Sequence, residues 1–310
     1  MLAGEGGEPV KAIIKIKSGP PEVLQLQEVE RPTPGPDEVL IKIHAATVTR
    51  GDVVLRSMPD LMLLAMRLFM GMRRKKIPGT ELAGEIEAVG EAVSQFSPGD
   101  PVFGTTGTSS AGSYAEYVCL PEESGLAIKP ANLTFEEAAA IPVGGYTALY
   151  YLRPAEIQPG QKALVYGASG SVGTYAVQLA KHYGAEVTGV SSTSNLELVR
   201  SLGADQVIDY TKEDFVGGGE NYDVIFDAVG KTSLEACRRA LAPEGTFLTV
   251  RKGLAKGSPE DLNTLKELVE AGALRPVIDR RYPLEQAAEA HRYVETGHKV
   301  GNVVLTVRNG

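Results

Sequence analysis

The chain has 310 residues, 43% of them hydrophobic and 6% aromatic, and a net charge of −8 at neutral pH. That length and apolar content make a globular protein with room for two domains, and the acidic balance argues against nucleic acid as a partner. The two cysteines, Cys119 and Cys237, lie far apart and outside any CxxC spacing, which excludes a disulfide framework and points to a reducing, cytoplasmic compartment.

The first ten residues are rich in glycine and glutamate and show no secretory leader; no apolar stretch along the chain reaches a membrane span. Residues 10–125 then carry short alternations, among them Val39-Leu-Ile-Lys-Ile43, Glu85-Ile-Glu-Ala-Val89 and Ser113-Tyr-Ala-Glu-Tyr-Val118, set apart by Pro- and Gly-rich turns. Period-two patterning between such turns predicts a mostly β domain, with Cys119 as a small core residue. Met58, Met62, Met66 and Met70 repeat every fourth position, with Met72 close behind. In a helix the four form one stripe, either packed in a core or dimer contact or facing a varied apolar substrate. The Arg73-Arg-Lys-Lys76 run that follows reads as a solvated basic turn.

From 129 to 275 strands and helices alternate. Strands are expected at 162–166, 186–190, 207–208, 223–227 and 246–250, and helices near 174–183, 195–202, 232–241 and 259–271. This is the pattern of a parallel, doubly wound α/β sheet. The tail turns β again at 277–278 and 303–307 around a helix at 284–296. The expected division is therefore 1–127, completed by 277–310, against 128–276.

The most informative stretch is Lys162-Ala-Leu-Val-Tyr166, a buried strand running into Gly167-Ala-Ser-Gly170-Ser-Val-Gly173 and then a helix. Three glycines at this spacing let the backbone turn sharply and approach a pyrophosphate, which the N–H groups of the helix N-terminus then face. Val172, Ala176, Val177, Leu179 and Ala180 give that helix an apolar face, and Gly184 stops it. The next strand ends in Ser191-Ser192-Thr193-Ser194-Asn195, where an NAD site usually has an acidic residue. Hydroxyl and amide donors suit a ribose 2′-phosphate, so NADPH is favoured over NADH. Ser194 or Asn195 could equally cap the helix beginning at Leu196.

Gly79-Thr-Glu-Leu-Ala-Gly84, Pro98-Gly-Asp-Pro-Val-Phe-Gly104, Ile141-Pro-Val-Gly-Gly-Tyr-Thr-Ala148 and the glycine cradle, in that order, resemble the medium-chain dehydrogenase/reductase superfamily over nearly the whole chain. Within it, Ala168-Ser-Gly-Ser-Val-Gly173 and Leu202-Gly-Ala-Asp-Gln-Val-Ile-Asp-Tyr210 resemble the zinc-independent quinone oxidoreductase, or zeta-crystallin-like, branch. The resemblance implies a GroES-like catalytic domain, a Rossmann domain and NADPH-linked reduction of quinones or activated alkenes. It also implies cofactor contacts from Gly167, Ser169, Gly170, Ser171, Val172 and Gly173 at the pyrophosphate, and from Ser191, Ser192, Asn195 and Tyr210 at the adenosine end. Thr147, Val229 and His298 would lie along the rest of the cofactor. Thr147 could instead cap a helix, Tyr210 could cover a hydrophobic edge, and His298 could be a solvated surface residue. On the substrate side, Thr49 and Arg50 are the candidates to donate to the developing oxyanion, with Asp52 holding their loop.

Zinc enzymes of this superfamily place a Cys in the loop matching 47–52 and a His before the glutamate matching Glu81, where this chain has Thr49 and Thr80. Two cysteines cannot build a four-cysteine lobe, and the four histidines show no ligand spacing, so no metal is expected. Without a Lewis acid, a quinone or enone is the better acceptor, because its reduced oxyanion is delocalised. The expected partner is thus a small, flat, apolar acceptor, with a homodimer left open. A non-catalytic NADPH-binding protein and a zinc-free enoyl-thioester reductase are the alternatives. Only Arg251 to Ser258 separate the last sheet strand from the helix at Pro259, too few for the parallel crossover that relatives use to reach a sixth strand.

Overall fold

The computed structural model describes residues 8–59, 61–64, 68, 76–107, 111–216, 219, 221–253, 255 and 257–308. The chain forms two compact units, Met1–Pro142 with Ile278–Gly310, and Val143–Val277.

The first unit opens with an antiparallel pair, β1 (Val10–Lys15) and β2 (Leu24–Val29). Its main sheet runs β13 (Ile278–Pro283), β14 (Asn302–Thr306), β3 (Glu38–Thr47), β4 (Glu81–Val89), β5 (Pro101–Thr105), β7 (Leu126–Ile128), with β6 (Tyr117–Pro121) also on β3. One flank of β3 serves two strands, pairing 38–42 with β6 and 45–47 with β14. Alternation decides which side chains go in: Val39, Ile41 and Ile43 pack with Leu82, Ile86, Val102, Val118, Leu120 and Leu126 in one core. A second core joins Ile13, Val23, Val53 and Tyr114 to Leu284, Ala287, Ala290 and Val294, the last three on α8 (Ala287–Glu295). The tail is thus an integral layer of this unit.

Three details differ from the sequence reading. Residues 113–116 make only an isolated bridge, Ala12 to Ala115, and β6 begins at Tyr117. Cys119 is half-buried rather than sealed in the core; its partial burial still pushes the thiol up to about 12. The units divide at 142/143, not at 127/128. The reason is α2 (Phe135–Ala139), capped by a reciprocal Thr134–Glu137 box, which packs on β3 and β4 and stacks Phe135 on His44 at 4.2 Å between ring centroids.

α1 (Arg50–Ser57) follows β3 directly, and 61–64 are helical. Of the methionine stripe, Met58 ends α1 and Met62 is exposed, whereas Met66, Met70 and Met72 lie outside the described residues, as do Arg73 to Lys75.

The second unit holds a fully parallel sheet, β10 (Gln206–Asp209), β9 (Glu186–Ser191), β8 (Lys162–Tyr166), β11 (Tyr222–Asp227), β12 (Leu241–Thr249). Its helices are α3 (Pro142–Leu152), α4 (Ser171–His182), α5 (Leu196–Ser201), α6 (Leu234–Cys237) and α7 (Pro259–Glu270). Chain order reverses between β8 and β11, and such switch points put ligands at the carboxyl ends of the strands. α6 is shorter than the helix expected at 232–241, because the chain already enters β12 at Leu241. Among the described residues the sheet ends at β12: residues 250–252 form one 3-10 turn and Ser258 and Asp261 box the start of α7, leaving no length for a crossover. No described helix is long and apolar enough to cross a membrane.

Candidate active site

In the second unit the glycine loop has the shape its sequence requires. Gly167 sits at φ +81°, and a Cβ there would lie 2.5 Å from Val229 Cγ1. A Cβ on Gly173 would lie 2.1 Å from the Gly167 carbonyl oxygen, so only glycine lets α4 start this close to β8. Gly170 is the N-cap of α4 and offers no side-chain cap, which leaves the positive end of the helix open to an anion. Val172 is half-buried, while Ala176, Val177, Leu179 and Ala180 are fully buried and anchor the helix.

The serine-rich turn after β9 closes on this loop. Asn195 occupies the N-cap position of α5, but its side chain makes no capping hydrogen bond. Its Nδ2 instead donates to Ser169 Oγ at 3.2 Å and to Ser192 Oγ at 3.3 Å. Ser169, Ser192 and Asn195 therefore form one polar cluster. Ser191 is buried at the end of β9, one residue before the cluster, its backbone carbonyl accepting from Tyr210 N. Tyr210 is exposed and lines a cavity of about 430 Å³ with Tyr166, Thr211 and Phe215.

Two aspartates that the motif reading left without a role fix the surrounding loops. Asp209 accepts from Thr193 Oγ1 at 2.5 Å and from Thr211 Oγ1 at 2.6 Å, and these bonds hold its carboxyl far below the usual range. Fully buried Asp227 accepts from the backbone N–H groups of Val229, Gly230, Lys231 and Thr232 at 2.8–3.2 Å, and from Thr249 Oγ1. One carboxylate thus freezes the loop at the end of β11, where Val229 presses on Gly167 and stays 42% exposed. Thr147 lies in the middle of α3, neither in a turn nor at a cap, and donates to Val143 O at 2.7 Å. Gly144 brings α3 against α4: a Cβ there would lie 2.7 Å from Ser171 Oγ.

In the first unit, Thr49 is the N-cap of α1. Asp52 accepts from Thr49 N at 2.9 Å and Thr49 Oγ1 at 2.6 Å, while Asp52 N donates back to Thr49 Oγ1 at 3.1 Å. The other Asp52 oxygen accepts from Thr80 Oγ1 at 2.9 Å. One buried carboxylate thereby joins the two threonines that sit at the expected metal-ligand positions, which confirms Asp52 as the holder of the loop. Arg50, the first residue of α1, is exposed and makes no hydrogen bond or ion pair among the described residues. Behind this loop Thr47 Oγ1 donates to buried Glu81. His298 is exposed, its N–H directed to Thr296 Oγ1. The next residue, Lys299, turns inward, and burial lowers its ammonium to about 8 despite the nearby Glu81 and Asp279. Among the described residues no three His, Cys, Asp or Glu side chains gather as metal ligands.

Residues 35–130 match the alcohol dehydrogenase GroES-like domain, and 202–305 match the zinc-binding dehydrogenase domain. The chain is 36% identical to the 2-methylene-furan-3-one reductase of Solanum lycopersicum, over 93% of its own length and 76% of that protein's. The chain belongs to the medium-chain dehydrogenase/reductase superfamily, in its quinone oxidoreductase branch. A second relative of this medium-chain reductase is the NADPH-dependent alkenal/one oxidoreductase of Arabidopsis thaliana, 35% identical over 96% of this chain and 79% of that protein. Among solved structures, the quinone oxidoreductase from Coxiella burnetii superposes with a TM-score of 0.82 at 31% identity, covering 97% of this chain and 100% of that one. The medium-chain reductase fold accounts for both units: a GroES-like β unit and a Rossmann-type parallel sheet.

Proposed function

We propose that this chain is a zinc-independent, NADPH-dependent reductase of quinones or α,β-unsaturated carbonyl compounds. The observation that carries the reading is the pairing of a tight glycine cradle with a substrate loop whose threonine hydroxyls are committed to Asp52. Relatives named for alkenal/one and quinone reduction support the same chemistry.

Gly167, Ser169, Gly170, Ser171, Val172 and Gly173 would hold the pyrophosphate, where the open start of α4 favours negative charge. The Ser169, Ser192 and Asn195 cluster presents hydroxyl and amide groups to the adenosine end, with Ser191 and Tyr210 beside it. Thr147, Val229 and His298 are assigned to the remaining cofactor contacts. When bound, NADPH supplies the hydride. The chain's own contribution is to orient a flat acceptor and stabilise the oxyanion of the reduced product. Of the two candidates, Arg50 is the donor, because the single proton of the Thr49 hydroxyl is already given to Asp52; a good donor contributes about 3–4 kcal/mol of transition-state stabilisation at best. That much suffices for a delocalised phenolate or enolate and falls short for the localised alkoxide of a simple ketone. Neither threonine hydroxyl is a strong zinc ligand, and among the described residues no three His, Cys, Asp or Glu side chains gather there.

The test follows nicotinamide absorbance with NADPH or NADH and a panel of quinones, enones, enoyl thioesters and simple ketones, with and without chelator. The expected result is NADPH oxidation by quinones or enones, unaffected by chelator. Chelator-sensitive ketone reduction overturns the zinc-free reading, and tight NADPH binding without turnover on any acceptor overturns the enzyme reading.

A further inference from the structure

We propose that Tyr114, to which the sequence pattern gives no site role, is the positioning residue that sets the geometry of the substrate loop. The proposal rests on the reductase reading of that loop.

The side chain is fully buried. Its hydroxyl donates to the Thr47 carbonyl at 3.1 Å, two residues before Thr49. His291 Nε2 lies 3.2 Å from the same oxygen. A tyrosine hydroxyl has one proton, and Thr47 takes it, so the imidazole is the donor and carries its proton on Nε2. Burial, reinforced by the charges of Asp52 and Glu81, pushes this hydroxyl well above its usual range, so it keeps its proton. The ring also packs against the chain at Gly79: φ there is +100°, and a Cβ would fall 2.4 Å from Tyr114 Cδ1. Tyr114 N completes the contact by donating to Pro78 O at 3.0 Å.

Tyr114 therefore touches both segments that meet at Asp52: residues 47–52, which carry Thr49 and Arg50, and residues 78–81, which carry Thr80 and Glu81. The Asp52 bonds fix the two segments to each other, and Tyr114 with His291 fixes the pair to the core formed by α8. Displacing a donor by an ångström from a reacting oxygen costs far more rate than binding. The residue thus acts through Thr47 and Asp52 without touching the substrate.

The experiment compares wild type, Tyr114→Phe and Ile86→Val, the last a core change in the same unit chosen to lower the melting temperature without reaching the loop. Two readouts are taken: kcat with NADPH and a quinone, and amide hydrogen exchange of the ligand-free protein. Tyr114→Phe is expected to lower kcat by about 10- to 100-fold, with the NADPH Kd unchanged within about twofold. It should also speed exchange in peptides spanning 47–52 and 78–81 and leave 162–166 unaltered. Ile86→Val should keep kcat. Support requires both the kcat loss and the local exchange change; absence of either overturns the proposal. If wild type reduces no quinone or enone, the reductase reading fails, and the exchange measurement alone decides the role of Tyr114. If Tyr114→Phe does not fold, the double variant Tyr114→Phe/His291→Leu removes the orphaned imidazole donor and is read in the same way.

Discussion

His291 makes the first unit acid-sensitive, by an amount that can be worked out. Its ring is fully buried and its Nδ1 has no partner among the described residues. Burial, reinforced by the Arg56 guanidinium, lowers the imidazole from 6.5 to about 3. Between those values the unfolded chain binds a proton that the folded chain refuses, so stability falls as pH falls through 6.5 toward 3. From pH 7 to pH 5 the loss from this residue is about 2 kcal/mol, at 1.36 kcal/mol per pKa unit. His291→Gln keeps an amide donor near the Nε2 position, opposite Tyr114, and removes the titration. Urea unfolding followed by tyrosine fluorescence, at pH 7 and pH 5, gives the difference between wild type and variant. Groups that titrate alike in both, including His44, whose imidazole is lowered by burial, cancel in the comparison. A variant that loses as much stability as wild type, within about 0.5 kcal/mol, refutes the reasoning.

Four further outcomes are expected. Gly173→Ala places a Cβ against the Gly167 carbonyl and should raise the NADPH Kd at least about tenfold by fluorescence titration, while a scanning melt shows the first unit unchanged. Asn195→Asp sets a carboxylate beside Ser169 and Ser192; it should weaken NADPH by about tenfold or more relative to NADH, and equal weakening of both would remove this cluster from the 2′-phosphate. Asp227→Ala strips the acceptor from four backbone N–H groups, so exchange should accelerate at 228–232; protection that persists there contradicts the anchoring role. Lys299 is charged in the unfolded chain up to 10.5 but only to about 8 in the fold, so its burial cost is relieved as pH rises between those values. Wild type should therefore gain about 1–2 kcal/mol from pH 8 to pH 10 that Lys299→Met does not gain, as read from denaturant midpoints.

The cradle was legible because every part of it is local. A buried strand, glycines at fixed spacing and a helix with a 3.6-residue apolar period lie within 162–184, and each glycine answers a steric need of the adjacent turn. That Thr49 and Thr80 are not strong metal-ligand types was legible too, since residue identity alone decides it. The role of Asp52 could be expected from its spacing to Thr49, which is that of a capping box.

What the sequence could not disclose is which distant groups meet. Thr80 reaches Asp52 across 28 positions, Tyr114 reaches Thr47 across 67, and His291 reaches Tyr114 across 177. No periodicity records such contacts, because they form only when strands pair and α8 docks. The same holds for Asn195, whose local pattern allows a helix cap as readily as a bond to Ser169, and for Lys299, which turns inward where its neighbour His298 stays exposed. Local sterics and hydrophobic period determined the two folds and the glycine loop; burial and long-range hydrogen bonding, created only by tertiary closure, decided how the loop at 47–52 is held and which buried groups lose their charge.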